Sequence, residues 1–146
     1  MKTILTPIDF SPATKHVVDA ALELAAAVKG EIVLLHVVQA PMITSDYGLA
    51  MENVQEILAV SEQAATQQLE HLKAKLAARG VTVHTAQTSA PAVTGILEQA
   101  KETGADYIVM GSHGHTALYD LLVGSTTHGV LKKAHCPVLI VPRRKD

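Results

Sequence analysis

Short apolar runs alternate with longer amphipathic stretches along the chain. This alternation limits the possible folds more than any other feature of the sequence. Ile32-Val33-Leu34-Leu35-His36-Val37-Val38 is almost continuously apolar, the pattern of a strand covered on both faces. Between such runs, apolar residues recur in steps of three and four: Val17, Val18, Ala21, Leu22, Ala25 and Val28, then Val54, Leu58, Ala65, Leu69, Leu72 and Leu76, then Val93, Ile96, Leu97 and Ala100. That spacing places each set on one helix face. Strands are expected at Thr3–Ile8, Glu31–Val38, Val81–Thr88, Ala105–Met110 and Pro137–Val141. The first helix should start at Ser11-Pro12, with Ser11 as N-cap, and stop at Gly30. The second spans Met51–Arg79 after a loop holding Pro41, Tyr47 and Gly48, the third follows Ser89-Ala90-Pro91 and stops at Gly104, and the fourth runs from Ser125 or Thr126 to Ala134. Strict β-α alternation implies an α/β fold: one domain over residues 1–146, an open five-stranded parallel sheet with helices on both faces. Such sheets bind ligands outside the carboxyl ends of the strands, where the strand order reverses.

Composition narrows the function. Hydrophobic residues make up 48% of the chain and aromatics 3%, so the core must be aliphatic. A formal net charge of -2 argues against a nucleic-acid surface. The single Cys136 has no disulfide partner within the chain and reads as a buried residue at a strand entry. No apolar run approaches the roughly 20 residues of a membrane span, and Met1–Pro7 is too short for a signal segment. A cytoplasmic location and no membrane partner are expected.

The chemistry concentrates after the fourth strand. Tyr107-Ile108-Val109-Met110 ends at Gly111, Gly114 follows, and Gly124-Ser125-Thr126 opens the fourth helix. Bare backbone N–H groups, hydroxyls and the positive end of a helix dipole together suit a phosphate. A P-loop is excluded, because Gly124-Ser125 has no lysine between its residues. The dinucleotide fingerprint is excluded too, because the first strand ends in Pro7-Ile8-Asp9-Phe10-Ser11.

The spacing Gly111-x2-Gly114-x9-Gly124-Ser125, the opening Ile4-Leu5-Thr6-Pro7-Ile8-Asp9-Phe10-Ser11, the run Leu35-His36-Val37 and the ending Cys136-Pro137-Val138-Leu139-Ile140-Val141-Pro142 all resemble the universal stress protein family. The likeness covers the whole chain and is narrowest to the members that bind ATP. It implies a Rossmann-like sheet of the adenine nucleotide alpha hydrolase type, with strand order 3-2-1-4-5. It also implies ATP, or AMP or ADP, in the crevice, with Mg²⁺ reached through the phosphates. By that likeness Pro7 and Asp9 lie beside the adenosine, and Val37 packs the base. Met110 and Gly111 line the ribose side, while Gly114, Gly124, Ser125 and Thr126 hold the phosphates. Two departures stand out: Thr126 where members often carry Val, and no glycine near Thr88-Ser89-Ala90-Pro91.

His113 and His115 sit in the loop, and His113 is a common family residue there. They are read as side chains near phosphate and not as metal ligands, since no Cys or carboxylate joins them at ligand spacing. Rapid phosphoryl transfer needs a placed cation and a residue orienting the nucleophile. No Lys or Arg lies between Gly111 and Val130. The expected role is therefore a nucleotide-dependent sensor or regulator in stress response, with slow hydrolysis at most, no catalytic residue and an unknown regulatory partner. The alternatives are a nucleotide-free dimeric interaction module of the same family and an ATPase; a flavin carrier lacks an aromatic stacker. Finally, Val138-Leu139-Ile140-Val141 would be an uncharged apolar edge, which proteins usually cover. The resemblance implies that it pairs with its own copy in a homodimer.

Overall fold

The structure is a computed structural model and describes residues 1–38, 51–113 and 123–143, with the backbone alone for 51–54. Its elements run β1 (Lys2–Ile8), α1 (Thr14–Val28), β2 (Gly30–Val37), α2 (Met51–Ala77), β3 (Val83–Thr88), α3 (Ala92–Thr103), β4 (Tyr107–Gly111), α4 (Ser125–Lys133) and β5 (Val138–Val141). The five strands form one parallel sheet in the order β3-β2-β1-β4-β5. The expected order and fold class are therefore observed. β1 lies at the centre: Lys2 to Ile8 match Gly30 to His36 on one side, and Ile4 and Leu5 match Tyr107 and Ile108 on the other.

Period-two alternation divides the strand side chains between two apolar layers. Ile4, Ile8, Ile32, Leu34 and Val109 face α1 and α2, where Val17, Val18, Ala21, Leu22, Leu69 and Leu76 meet them. Leu5, Val33, Leu35, Ile108 and Met110 face the other way, onto Ile96 of α3 and Val130 of α4. Each fully buried aliphatic side chain here contributes about 1.5–3 kcal/mol, which explains how a chain without Trp still closes a core. α3 and α4 come close enough that a Cβ on Gly129 would stand 2.7 Å from Val93 Cγ2.

Element ends differ from expectation for identifiable reasons. α1 begins at Thr14 and not at Ser11-Pro12. Ser11 serves a preceding turn instead: its N–H donates to Asp9 Oδ1 at 2.9 Å, and its carbonyl accepts from the Thr14 N–H at 3.0 Å. Lys29, not Gly30, takes the left-handed conformation that stops α1, with φ 55°. Gly30 opens β2 instead, where a Cβ would stand 2.8 Å from the Lys2 carbonyl oxygen. β4 starts two residues later than expected because Asp106 is otherwise engaged. Its Oδ2 accepts from the Thr3 N–H and its own N–H donates to the Thr3 carbonyl, both at 2.8 Å. Gly104 does stop α3, with φ 62°.

Candidate functional site

The strand order reverses between β1 and β4, so the carboxyl ends of these strands border the crevice. Asp9 follows β1 and Gly111 ends β4.

On the β1 side the chain turns sharply. Phe10 holds φ 58°, a left-handed conformation that is uncommon outside glycine. Two contacts support it. Asp9 Oδ1 accepts from the Ser11 N–H at 2.9 Å and from the Thr14 hydroxyl at 3.5 Å. The Phe10 ring also lies against His36, centroids 4.8 Å apart and planes tilted by 44°. His36 Nδ1 meets the Ile8 carbonyl at 3.3 Å; a carbonyl only accepts, so Nδ1 carries the proton in that contact. Asp9 thus acts as the local capping carboxylate of the turn while standing at the crevice.

On the β4 side one buried serine ties three elements together. The Ser112 N–H donates to the Val141 carbonyl of β5 at 2.9 Å, and its own carbonyl accepts from the Gly124 N–H at 2.7 Å. Its hydroxyl oxygen accepts from the Arg143 N–H at 3.2 Å and lies 3.0 Å from His113 Nδ1. Buried Thr127 adds a further link, its hydroxyl donating to the Gly111 carbonyl at 2.8 Å. The start of α4 is therefore fastened directly to the end of β4.

That start presents bare amides. Gly124 is the N-cap, and among the described residues no side chain caps the helix. The first turn closes with the His128 N–H on the Gly124 carbonyl at 2.9 Å. The N–H groups of Ser125, Thr126 and Thr127 come before that bond, where an α-helix supplies no acceptor. Ser125 is exposed and Thr126 half-buried. This is the geometry of a helix terminus suited to an anion. Gly124 has φ -70° and ψ 165°, which any residue adopts, and Gly111 has no positive φ. A Cβ on Gly111 would lie 3.4 Å from Val17 Cγ2 and from the His113 carbonyl. Backbone conformation requires glycine at neither position.

The remaining expected residues are distributed more widely. Pro7 and Val37 are half-buried at the carboxyl ends of β1 and β2, and Val37 packs on the α3-side layer. Met110 is buried within that layer, so its side chain belongs to the core. Gly114 and His115 lie outside the described residues. Among the described residues no group of three or more His, Cys, Asp or Glu could hold a metal ion, and no helix is long and apolar enough to cross a membrane.

Reasoning from the sequence passed over Ser112, Thr127 and Arg143. Arg143 follows the last strand, and its backbone N–H reaches Ser112.

The universal stress protein family model matches residues 1–142. The chain belongs to the universal stress protein family. Its relatives include universal stress protein YxiE of Bacillus subtilis, 33% identical over 143 residues, covering 94% of this chain and 97% of that protein. The solved structure of protein MJ0577 of Methanocaldococcus jannaschii superposes with a TM-score of 0.75 at 32% identity, covering 99% of this chain and 98% of that one. More distant structures share the fold: a universal stress protein of Archaeoglobus fulgidus in complex with dAMP, at 19% identity, and one in complex with cAMP, at 22%, both with TM-scores of 0.65 and covering 97% of this chain and at least 96% of theirs. Within a universal stress protein fold, the Ser112–Thr127 fastening and the bare start of α4 occupy the stretch that carries the glycine signature.

Proposed function

We propose that this chain binds an adenine nucleotide, ATP above all, in the crevice between the ends of β1 and β4, and that it acts as a nucleotide-dependent regulator in stress response. The observation that carries this reading is the uncapped start of α4, held against the end of β4 by Ser112 and Thr127. Three amides at the positive end of a helix are complementary to phosphate oxygens. The dispensability of glycine for the backbone at Gly111 and Gly124 supports the same reading. A missing Cβ is what a close ligand needs. Universal stress proteins solved with dAMP and with cAMP show adenine nucleotides on this fold in those proteins.

The residues fit the nucleotide in a definite order. Gly114, Gly124, Ser125 and Thr126 take the phosphates, with His113 beside them. Met110 and Gly111 serve the ribose side through their main chain. Pro7, Asp9 and Val37 take the adenosine. Mg²⁺ enters through the phosphate oxygens and water, neutralising charge that the protein does not neutralise itself. Between Gly111 and Val130 there is no Lys or Arg, so the site binds a triphosphate without strongly activating it. The chain is proposed to form a homodimer through β5, whose Leu139 is exposed.

The test is to denature freshly purified protein by heat and quantify ATP, ADP and AMP per chain by anion exchange. Near-stoichiometric ATP is the expected result, and it would also show that hydrolysis is slow compared with purification. ADP or AMP would call for labelled ATP to separate turnover from direct capture. Protein that is empty and does not take up added ATP with Mg²⁺ would overturn the proposal in favour of a nucleotide-free interaction module.

A further inference from the structure

Ser112 and His113 meet just past the end of β4, and the proton between them has one place to go. Ser112 is 6% exposed. A serine hydroxyl has one proton to give and two lone pairs to offer. Among the described residues this hydroxyl has two partners, the Arg143 N–H at 3.2 Å and His113 Nδ1 at 3.0 Å. A main-chain N–H only donates, so Arg143 takes a lone pair of the oxygen. The hydroxyl proton is left with His113 Nδ1 as its acceptor. A ring nitrogen that accepts carries no proton, so the proton of the neutral imidazole sits on Nε2. The reverse arrangement, Nδ1–H donating to Ser112 Oγ, would fill both lone pairs and strand the serine proton in a buried place.

The fold fixes this pair from two sides. The Ser112 main chain is bonded to Val141 of β5 and to Gly124, the N-cap of α4. The bond from Arg143 arrives from the chain that follows β5 and sets the rotation left to the hydroxyl. His113 is half-buried and follows the residue that meets Gly124, so it stands beside the start of α4. There the N–H groups of Ser125 and Thr126 lack helical acceptors. The two histidines at the carboxyl end of the sheet are thus set oppositely. His36 Nδ1 donates to the Ile8 carbonyl, whereas His113 Nδ1 accepts from a hydroxyl.

We infer that Ser112 is a positioning residue of the nucleotide site: its hydroxyl holds His113 Nδ1 as an acceptor, so that Nε2–H is offered to a phosphate oxygen. Ionised phosphate oxygens accept and do not donate, and the other tautomer would turn a lone pair toward them. His113 then adds a side-chain donor to the bare amides of α4, in a stretch with no Lys or Arg between Gly111 and Val130. The phosphate contact rests on the nucleotide reading above; the Ser112–His113 tautomer does not.

The test has two arms, both on the full chain. The first is NMR of the labelled ring nitrogens without ligand, at alkaline pH where imidazole is neutral. Nε2 of His113 should carry the proton, and Ser112→Ala should move the Nδ1 resonance. A protonated Nδ1 in the parent, or an Nδ1 resonance that Ser112→Ala leaves in place, overturns the inference whatever the ligand. The second arm compares ATP with adenosine by titration calorimetry. His113→Ala should weaken ATP by about tenfold or more, the worth of a hydrogen bond to a charged group. Ser112→Ala should weaken it by about three- to tenfold. Adenosine has no phosphate and should bind both variants as it binds the parent. His113→Gln returns an N–H near the place of Nε2 and should recover most of the loss; His113→Asn, whose N–H falls near Nδ1, should not. Ser112→Ala keeps the main-chain bonds to Val141 and Gly124, and thermal melts well above the assay temperature will confirm that each variant is folded. Equal losses for ATP and adenosine would mean a structural role and overturn the inference. So would ATP bound by His113→Ala as tightly as by the parent, which leaves the nucleotide reading standing. A parent that takes up no ATP removes both.

Discussion

The Thr127 hydroxyl donates to the Gly111 carbonyl at 2.8 Å, joining the first turn of α4 to the last residue of β4. Thr127 is 3% exposed, so water cannot readily replace that bond. The contact sets where the bare amides of Ser125 and Thr126 stand relative to the sheet. Replacing Thr127 by Val keeps the shape and removes the donor. Stability should fall by about 1 kcal/mol, the usual net worth of one such bond. Nucleotide affinity should fall by about tenfold, because displaced donors lose strength steeply. Urea unfolding and titration calorimetry read the two effects separately. Thr127→Ser should restore both; a variant that keeps full affinity would mean that α4 is positioned by other contacts.

Gly124→Ala tests the opposite case, a change that the fold tolerates and the ligand should not. The φ of -70° at Gly124 suits alanine, so thermal stability should hold or rise slightly. Affinity for ATP should drop by about tenfold or more as the methyl group enters the space of the phosphates. Gly111→Ala should behave alike, since its Cβ would meet Val17 and the His113 carbonyl no closer than 3.4 Å. Lost stability with intact affinity in both variants would show that the two glycines serve the connection and not a ligand.

The sheet was legible because period-two and period-3.6 patterns are local and the helices between them force parallel strands. The spacing of Gly111, Gly124 and Ser125 pointed to the candidate site for a similar reason: a strand end and a helix start lie within one short stretch. The fastening was not legible. Ser112 matters because β5 brings Val141 and Arg143 to it, and that register belongs to the sheet and not to the neighbouring sequence. The start of α1 was misplaced because Ser11-Pro12 has the composition of a helix start. Asp9 instead accepts the Ser11 N–H and delays the helix to Thr14.

Asp9 accepts within the turn and is proposed to take the adenosine as well, and two substitutions separate the two roles. Asn keeps a side-chain oxygen for the Ser11 N–H, so Asp9→Asn should leave stability within about 0.5 kcal/mol. Asp9→Ala removes the acceptor and should cost about 1 kcal/mol. Both should weaken nucleotide binding if the carboxylate also accepts from the adenosine. Calorimetry showing Asp9→Asn at full ATP affinity would confine Asp9 to the turn.

Cys136 provides a pH-dependent readout. Burial raises its thiol pKa, and the Asp106 carboxylate nearby raises it further. Its reaction with a disulfide reagent should therefore be slower at pH 8 than that of an unfolded cysteine, and the midpoint of its alkylation profile should lie higher. The linkage has a definite sign. The unfolded chain releases its thiol proton first as pH rises, so the stability this shift contributes is full below the unfolded thiol pKa and is lost as pH climbs through the folded value. Cys136→Ser should flatten that alkaline decline in urea midpoints. A native thiol that reacts as fast as an unfolded one would contradict the burial.

Leu139 lies in the edge strand β5 and is 43% exposed, between the half-buried Val138 and Ile140. An edge of that composition offers unpaired N–H and C=O groups together with apolar contact, and a second copy can satisfy both by antiparallel pairing. Lysine at this position keeps the backbone but places a charge where two copies would meet across the two-fold axis. Leu139→Lys should therefore halve the mass seen by light scattering at micromolar concentration, without lowering the melting temperature of the monomer fold. An unchanged dimer would place the principal interface away from β5.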